Sequence, residues 1–244
     1  LRILILTPIK GKVDDTRRKE ILEELSELVT PDVELDLKSL DHGATTIESF
    51  YDEYIGAADM IEKGLEAERA GYNAVVINCF MNPALNPLRE LLNIPVIGAG
   101  EAALSLASVL GDFFSILDPD PPPRSYSHKI VSSLGLSNKL RSVRYLGLGV
   151  SGLSGRFEDV LGLMISEAKR AVEEDGAHVI VLGCTGMRRY SKKLSEEMNK
   201  YGVPVIEPLS AAINLAVSIV RLGLSHSKLS YPNPLKDVEK ENVV

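Results

Sequence analysis

Ala70-Gly71-Tyr72-Asn73-Ala74-Val75-Val76-Ile77-Asn78-Cys79 and Asp175-Gly176-Ala177-His178-Val179-Ile180-Val181-Leu182-Gly183-Cys184 lie over one another without a gap, 105 residues apart. Each holds a glycine able to stop a helix, four apolar residues suited to a buried strand, and a cysteine at the strand's end. The match continues downstream. Ile94-Pro95-Val96-Ile97 lies over Val203-Pro204-Val205-Ile206, and Ala102-Ala103 with Leu106-Ala107 lies over Ala211-Ala212 with Leu215-Ala216, now 109 residues apart. The four extra residues fall in the loop and helix between, where insertions are tolerated. Any two strand–helix–strand units share glycine, valine and isoleucine. The ordered recurrence of glycine, cysteine, proline and the alanine pair favours an internal duplication.

Around the repeat, short apolar runs alternate with longer amphipathic stretches. Ile3 to Leu6 reads as a first strand, followed by a loop over Thr7 to Gly11. Asp14 to Val29 reads as a helix with Asp or Thr for its N-cap, and Val33 to Leu37 as a second strand. Tyr51 to Ala70 is a long helix stopped by Gly71. Pro87 suits the first turn of a short helix ending near Leu92, and Pro95 the first position of a strand. The Asp118-Pro119-Asp120-Pro121-Pro122-Pro123 run must be a loop. Strand and helix alternating along a chain signal parallel sheets. The expected fold is α/β, two pseudo-symmetric flavodoxin- or Rossmann-like domains with helices on both faces of each sheet. Residues 1–98 with 208–235 form the first lobe, carrying Cys79; residues 99–207 form the second, carrying Cys184; residues 236–244 read as a loosely held tail. Both thiols then sit at carboxyl edges of parallel sheets, where open α/β folds place ligands. Two like halves facing one another would bring the cysteines to one cleft.

Composition sets the outer bounds. The chain has 244 residues, 45% hydrophobic and 25% charged, with a net charge of −7, which is ordinary globular usage. With a pI near 5.3 and no basic cluster, nucleic acid is not an expected partner. The longest apolar runs fall far short of the roughly 20 residues that span a bilayer, so no membrane partner is expected. The first residues, Leu1-Arg2-Ile3-Leu4, read as strand rather than as a signal peptide, and the expected compartment is the cytoplasm. Two cysteines are too few for a disulfide framework or a Cys-rich zinc site.

Thiols can pair, bind metal, attack an electrophile or move a proton. His42, His128, His178 and His226 show no ligand spacing with either cysteine, so no metal is expected. A single nucleophile would leave the second cysteine without a role. A pair drawn from duplicated halves suits a symmetric reaction, in which one thiolate removes an α-proton and the opposing thiol delivers one to the other face. A thiol with an ordinary pKa near ~8.5 needs modest depression to serve near neutrality, and backbone N–H groups opening a helix can supply it and hold an enolate oxygen.

Asn78-Cys79 and Gly183-Cys184-Thr185 resemble the paired signatures of the aspartate/glutamate racemase superfamily, with closest similarity to its hydantoin racemase branch, which includes allantoin racemases. Ile77-Asn78-Cys79-Phe80, the stretch Ile94 to Ala103 and the stretch Glu174 to Met187 carry most of the likeness; Gly43 to Glu48, Phe114-Ser115, Ser227-Lys228 and Tyr231-Pro232 fit as well. The resemblance covers most of residues 1 to 235. It implies two pseudo-symmetric α/β domains, a racemase or epimerase that needs no cofactor, Cys79 and Cys184 as the bases, a small-molecule substrate, and a homo-oligomer. The branch opens its first loop with an Asn-Pro-Asn-Thr pattern that lines the substrate; here the loop is Thr7-Pro8-Ile9-Lys10-Gly11. The usual Gly-Asp-Pro after the first cysteine and phenylalanine is Met81-Asn82-Pro83. These departures point to a pocket of altered shape.

The substrate-binding residues expected are Thr7, Ile9, Thr46, Phe80, Met81, Thr185 and Gly186. Phe80, Met81 and Gly186 are chosen for their backbone N–H groups. Thr185 either bonds the thiolate or substrate or caps the next helix, and Gly186 either admits a ligand or occupies a turn of positive φ. Thr45 and Thr46 precede a helix and can cap it. His178 reads as a structural histidine, Lys10 as a solvated loop lysine, and Arg124 as a loop residue with a weaker claim on a substrate carboxylate. The substrate class expected is a 5-substituted hydantoin or a related ureide such as allantoin. The alternatives are an amino-acid racemase, a maleate-type cis–trans isomerase, an arylmalonate-type decarboxylase or a silent metabolite-binding protein on the same scaffold.

Overall fold

The computed structural model describes residues 1–11, 15–121 and 126–235. Arg124 and the expected 236–244 tail lie outside the described residues. The chain forms two compact units: Leu1–Asn78, Asn82–Gly98 and the chain from Ile213 make the first, and Cys79–Met81 with Ala99–Ala212 make the second. The return to the first unit falls at Ile213, inside a helix, where the repeat had placed it at 208. The short Cys79–Met81 segment groups with the second unit because Phe80, 3% exposed, sits in that unit's core with Ala103, Leu104, Phe114 and Ile116.

The first unit runs β1 (Arg2–Lys10), α1 (Asp15–Ser26), β2 (Glu34–Leu40), α2 (Phe50–Arg69), β3 (Ala74–Ile77), α3 (Leu85–Leu91) and β4 (Val96–Gly98). Its sheet is parallel, in the order β2-β1-β3-β4. The second unit runs α4 (Ala99–Leu110), β5 (Phe114–Asp118), α5 (Ser127–Ser133), β6 (Leu140–Tyr145), α6 (Gly149–Gly152), α7 (Phe157–Glu173), β7 (Val179–Leu182), α8 (Arg188–Met198), β8 (Val205–Ile206) and the start of α9 (Pro208–Arg221). Its parallel sheet has the order β6-β5-β7-β8, the same topology. The four-residue widening of the repeat is helical: α8 has 11 residues where α3 has 7.

The repeated segments take matching roles. Gly71 and Gly176 both adopt the left-handed conformation, φ 78° and 73°, that ends the preceding helix and starts the strand. Every residue of β3 and of β7 is fully buried. In the second unit, Val179 and Val181 join the cluster with Phe80, Ala103 and Ala107, while Ile180 and Leu182 point to the other face, into the cluster of Met164, Met187, Tyr190 and Leu194. Period-two alternation thus feeds two cores from one strand, each such aliphatic side chain contributing about 2 kcal/mol.

β1 is longer than Ile3 to Leu6. It pairs with β2 in register through Thr7↔Ser39 and resumes at Lys10↔Leu40, so Pro8 and Ile9 form a bulge rather than the start of a loop. Proline has no N–H to give the ladder, and a bulge is where a strand tolerates it. The Lys10 N–H goes to the Ala44 carbonyl at 2.7 Å.

The segment after α9 clasps α3. Lys228 Nζ donates to the carbonyls of Arg89, Glu90 and Leu92 at 3.0, 2.8 and 2.9 Å, satisfying the open end of the helix with a cation. Arg89, 5% exposed, donates to Val96 O at 3.1 Å and to Tyr231 Oη at 3.1 Å, and the Val96 N–H donates to His226 Nε2 at 2.9 Å. Lys228→Met keeps the stem and removes the three donors. It is expected to lower the unfolding free energy by about 2 kcal/mol in a urea titration. Among the described residues no helix is long and apolar enough to cross a membrane.

Candidate active site

β7 delivers Cys184 to the carboxyl edge of the second sheet. The Gly183 N–H donates to Leu117 O of β5 at 2.7 Å, carrying the ladder one residue past the strand. A Cβ at Gly183 would lie 2.7 Å from that same oxygen and 3.3 Å from Asp118 Cα, so the position before the cysteine admits only glycine. Cys184 itself is extended, φ −154° and ψ 135°, and caps the 3-10 turn Thr185–Met187, its Sγ accepting the Gly186 N–H at 3.3 Å. Sulfur therefore does the capping that had been one reading of Thr185. Gly186 is absent from the left-handed region, so a turn of positive φ does not account for it. A Cβ there would stand 3.3 Å from Leu153 Cδ1, a tight contact with the end of a flexible side chain, and 3.4 Å from the sulfur, an ordinary van der Waals contact.

Two buried carboxylates flank this edge, Asp118 and Glu207, and Asp120 follows in the loop after β5. Register places Leu117 opposite Leu182, hence Asp118 beside Gly183, and Ile206 opposite Val181, hence Glu207 beside Leu182. Asp118, 4% exposed, accepts from Ser127 Oγ at 2.6 Å and from the Asp120 N–H at 3.0 Å. Glu207, 8% exposed, caps α9, accepting from the N–H groups of Leu209 and Ser210 at 2.9 and 2.8 Å and from Ser210 Oγ at 2.5 Å. Burial pushes the Glu207 carboxyl up, and these donors together with Arg188 oppose it. Although the Cys184 residue keeps part of its surface, its thiol is desolvated. Burial pushes it up to about 12, the Gly186 N–H opposes, and the charges of Asp118, Asp120 and Glu207 add to the rise.

The first-cysteine segment is built differently. The Asn78 N–H donates to Leu6 O at 2.9 Å, continuing the ladder, and Asn78 Nδ2 donates to Thr7 Oγ1 at 3.1 Å. Thr7 is thus tied to the residue before Cys79. Cys79 is half-buried, Phe80 is a core residue, and Met81 is partly exposed. Two non-glycine residues then take positive φ in quick succession, Asn82 at 55° and Ala84 at 54°, before α3 begins. Such conformations cost roughly 1–2 kcal/mol each and mark a turn held by its surroundings.

Of the residues expected to bind substrate, Phe80, Met81, Thr185 and Gly186 share the second unit with both cysteines, while Thr7, Ile9 and Thr46 belong to the first. Thr46 lies in the β2–α2 loop, and it does not cap α2; Ser49 does, accepting the Asp52 N–H at 3.2 Å. Ile9 sits on the β1 bulge, partly exposed. The His178 ring meets Phe113 edge-on at 5.3 Å. Acidic residues near Cys184 that the sequence did not single out are Asp118, Asp120 and Glu207. Their signal was a second layer of the repeat: pairing aligns Ile3 with Phe114, hence Thr7-Pro8-Ile9 with Asp118-Pro119-Asp120, and the shared proline was visible. Among the described residues no group of three or more His, Cys, Asp or Glu is arranged to hold a metal ion.

Residues 18–216 match the family model for Asp/Glu/Hydantoin racemase. The chain belongs to the Asp/Glu/hydantoin racemase family. It is 35% identical over 236 residues to the hydantoin racemase of Paenarthrobacter aurescens, covering 96% of this chain and 98% of that protein. It is 37% identical over 195 residues to the hydantoin racemase of Pseudomonas sp. strain NS671, covering 80% and 77%. The solved allantoin racemase from Klebsiella pneumoniae superposes with a TM-score of 0.87 at 29% identity, covering 97% of this chain and 95% of that one. This member of the racemase family is accordingly an isomerase, in the hydantoin/allantoin branch.

Proposed function

We propose that the protein is a cofactor-independent racemase or epimerase acting by two-thiol proton transfer on a 5-substituted hydantoin or a related ureide such as allantoin. The observation that carries this reading is the matched placement of Cys79 and Cys184, each one residue beyond the ladder of a duplicated central strand. Relatives named hydantoin racemase and allantoin racemase support the substrate class. One thiolate takes the proton from the carbon between the ring nitrogen and the carbonyl. The carbonyl oxygen gains charge as the carbon becomes planar, and the other thiol returns a proton to the opposite face. Backbone N–H groups in the segments after the two cysteines hold the enolate oxygen. In the reverse direction the thiols exchange roles. The working form is expected to be a homo-oligomer in the cytoplasm.

The test is proton NMR in D₂O with single enantiomers of 5-substituted hydantoins, allantoin, aspartate and glutamate. Loss of the α-proton signal in the hydantoin or ureide group, with loss of optical rotation, is the expected result. Exchange confined to aspartate or glutamate would move the protein to amino-acid racemisation.

A further inference from the structure

The two halves of the duplication are alike in backbone and unlike in charge. At the edge that carries Cys184, β5 ends at Asp118 and the chain continues through Pro119-Asp120, and β8 runs into Glu207. The aligned positions in the first unit are Thr7-Pro8-Ile9 and Gly98, since Leu6 pairs with Ile77 as Leu117 pairs with Leu182, and Pro95 aligns with Pro204. Three acids of the second unit thus correspond to three uncharged residues of the first, and Lys10 follows Ile9 where Pro121 follows Asp120. Asp118 and Glu207 are anchored: the Asp118 oxygens are held by Ser127 and the Asp120 N–H, and those of Glu207 by three donors in the first turn of α9. Three donors on two oxygens suit an ionised carboxylate, and the helix N-terminus favours one.

We propose that Asp118, Asp120 and Glu207 are positioning residues that hold the proton on Cys184 in the ligand-free protein, leaving Cys79 as the base of the resting enzyme. The assignment of roles rests on the two-thiol reading above. The carboxylates act through the thiol and need not touch substrate. The charged groups that face the cluster are Asp118 at the end of β5, Asp120 in the loop after it, Glu207 between β8 and α9, and Arg188, which opens α8 and partly offsets Glu207. The Gly186 N–H, which Cys184 Sγ accepts at 3.3 Å, opposes their field. Each half-reaction that ends with the proton on Cys184 returns the enzyme to this resting form. The opposite half-reaction ends on the disfavoured form, with Cys184 as thiolate.

Iodoacetamide labelling across a pH series, read by peptide mass spectrometry, reports each thiolate separately. In the unaltered chain Cys184 is expected to label with a midpoint at least about one pH unit above that of Cys79. Asp118→Asn, Asp120→Asn and Glu207→Gln are each expected to lower the Cys184 midpoint by about one unit, near tenfold faster labelling at a fixed pH, and to leave Cys79 in place. Glu207 also holds the first turn of α9, so Asp120→Asn decides the matter if the Glu207 variant does not fold. A Cys184 midpoint at or below that of Cys79, or one unmoved in the folded variants, overturns the proposal. A chain that shows these shifts yet exchanges no α-proton from any compound of the panel would remove the two-thiol function while upholding the placement of the proton.

Discussion

Cys79→Ser and Cys184→Ser are each expected to lower racemisation by at least about a thousandfold, because a serine hydroxyl is too weak an acid to exchange roles with a thiolate. The loss should be one-sided. With one thiol left, the enzyme still removes a proton from the enantiomer that presents it to that side and returns deuterium from D₂O to the same side. Each variant therefore washes deuterium into one enantiomer without inverting it, and the two variants choose opposite enantiomers. Optical rotation and proton NMR on both enantiomers separate these outcomes. Variants that racemise like the unaltered protein would refute the two-base mechanism. Activity lost in both directions for one cysteine and kept for the other would point to a single nucleophile.

Gly183→Ala is expected to cost roughly 2–3 kcal/mol of stability and about a hundredfold in rate. The added methyl would meet Leu117 O at 2.7 Å and Ile116 Cγ2 at 3.0 Å. The first is backbone of the neighbouring strand, held by the hydrogen bond that Gly183 itself donates. It can yield only by opening β5 from β7 where Cys184 leaves the sheet. Thermal melting and initial rates measure the two losses, and a variant that melts and turns over normally would show that the strand end can relax. The matching position in the first unit is Asn78, which carries a side chain bonded to Thr7, so the glycine requirement belongs to the second unit alone.

Much of this was legible because burial on both faces leaves a parallel strand little choice of residue. Ala74-Val75-Val76-Ile77 and Val179-Ile180-Val181-Leu182 announce themselves as continuous apolar runs, and the glycines before them stop the helices. β6 gave no such signal. It is an edge strand, and Leu140-Arg141-Ser142-Val143-Arg144-Tyr145 carries polar residues whose partners are remote in sequence. Arg144 reaches Asp175 at 2.6 Å and Glu174 at 2.8 Å, and Ser142 reaches Asp175 at 2.5 Å. The acidic pair Glu174-Asp175, at the start of the second repeat, thereby has a structural task that no local pattern assigns.

By itself the amino-acid order determined the duplication, the parallel α/β class, the two cysteines at strand ends and the family they mark, because each depends on local periodicity or residue identity. Only the tertiary structure decided that Pro8 and Ile9 bulge from a strand, that sulfur rather than Thr185 caps the turn after Cys184, and that Phe80 belongs to the second unit's core. It also decided that Asp118 and Glu207 flank the strand leading to Cys184, although 66 and 23 residues separate them from that cysteine in the chain. Strand register sets such neighbours. Register depends on which strands pair, and no single segment encodes it.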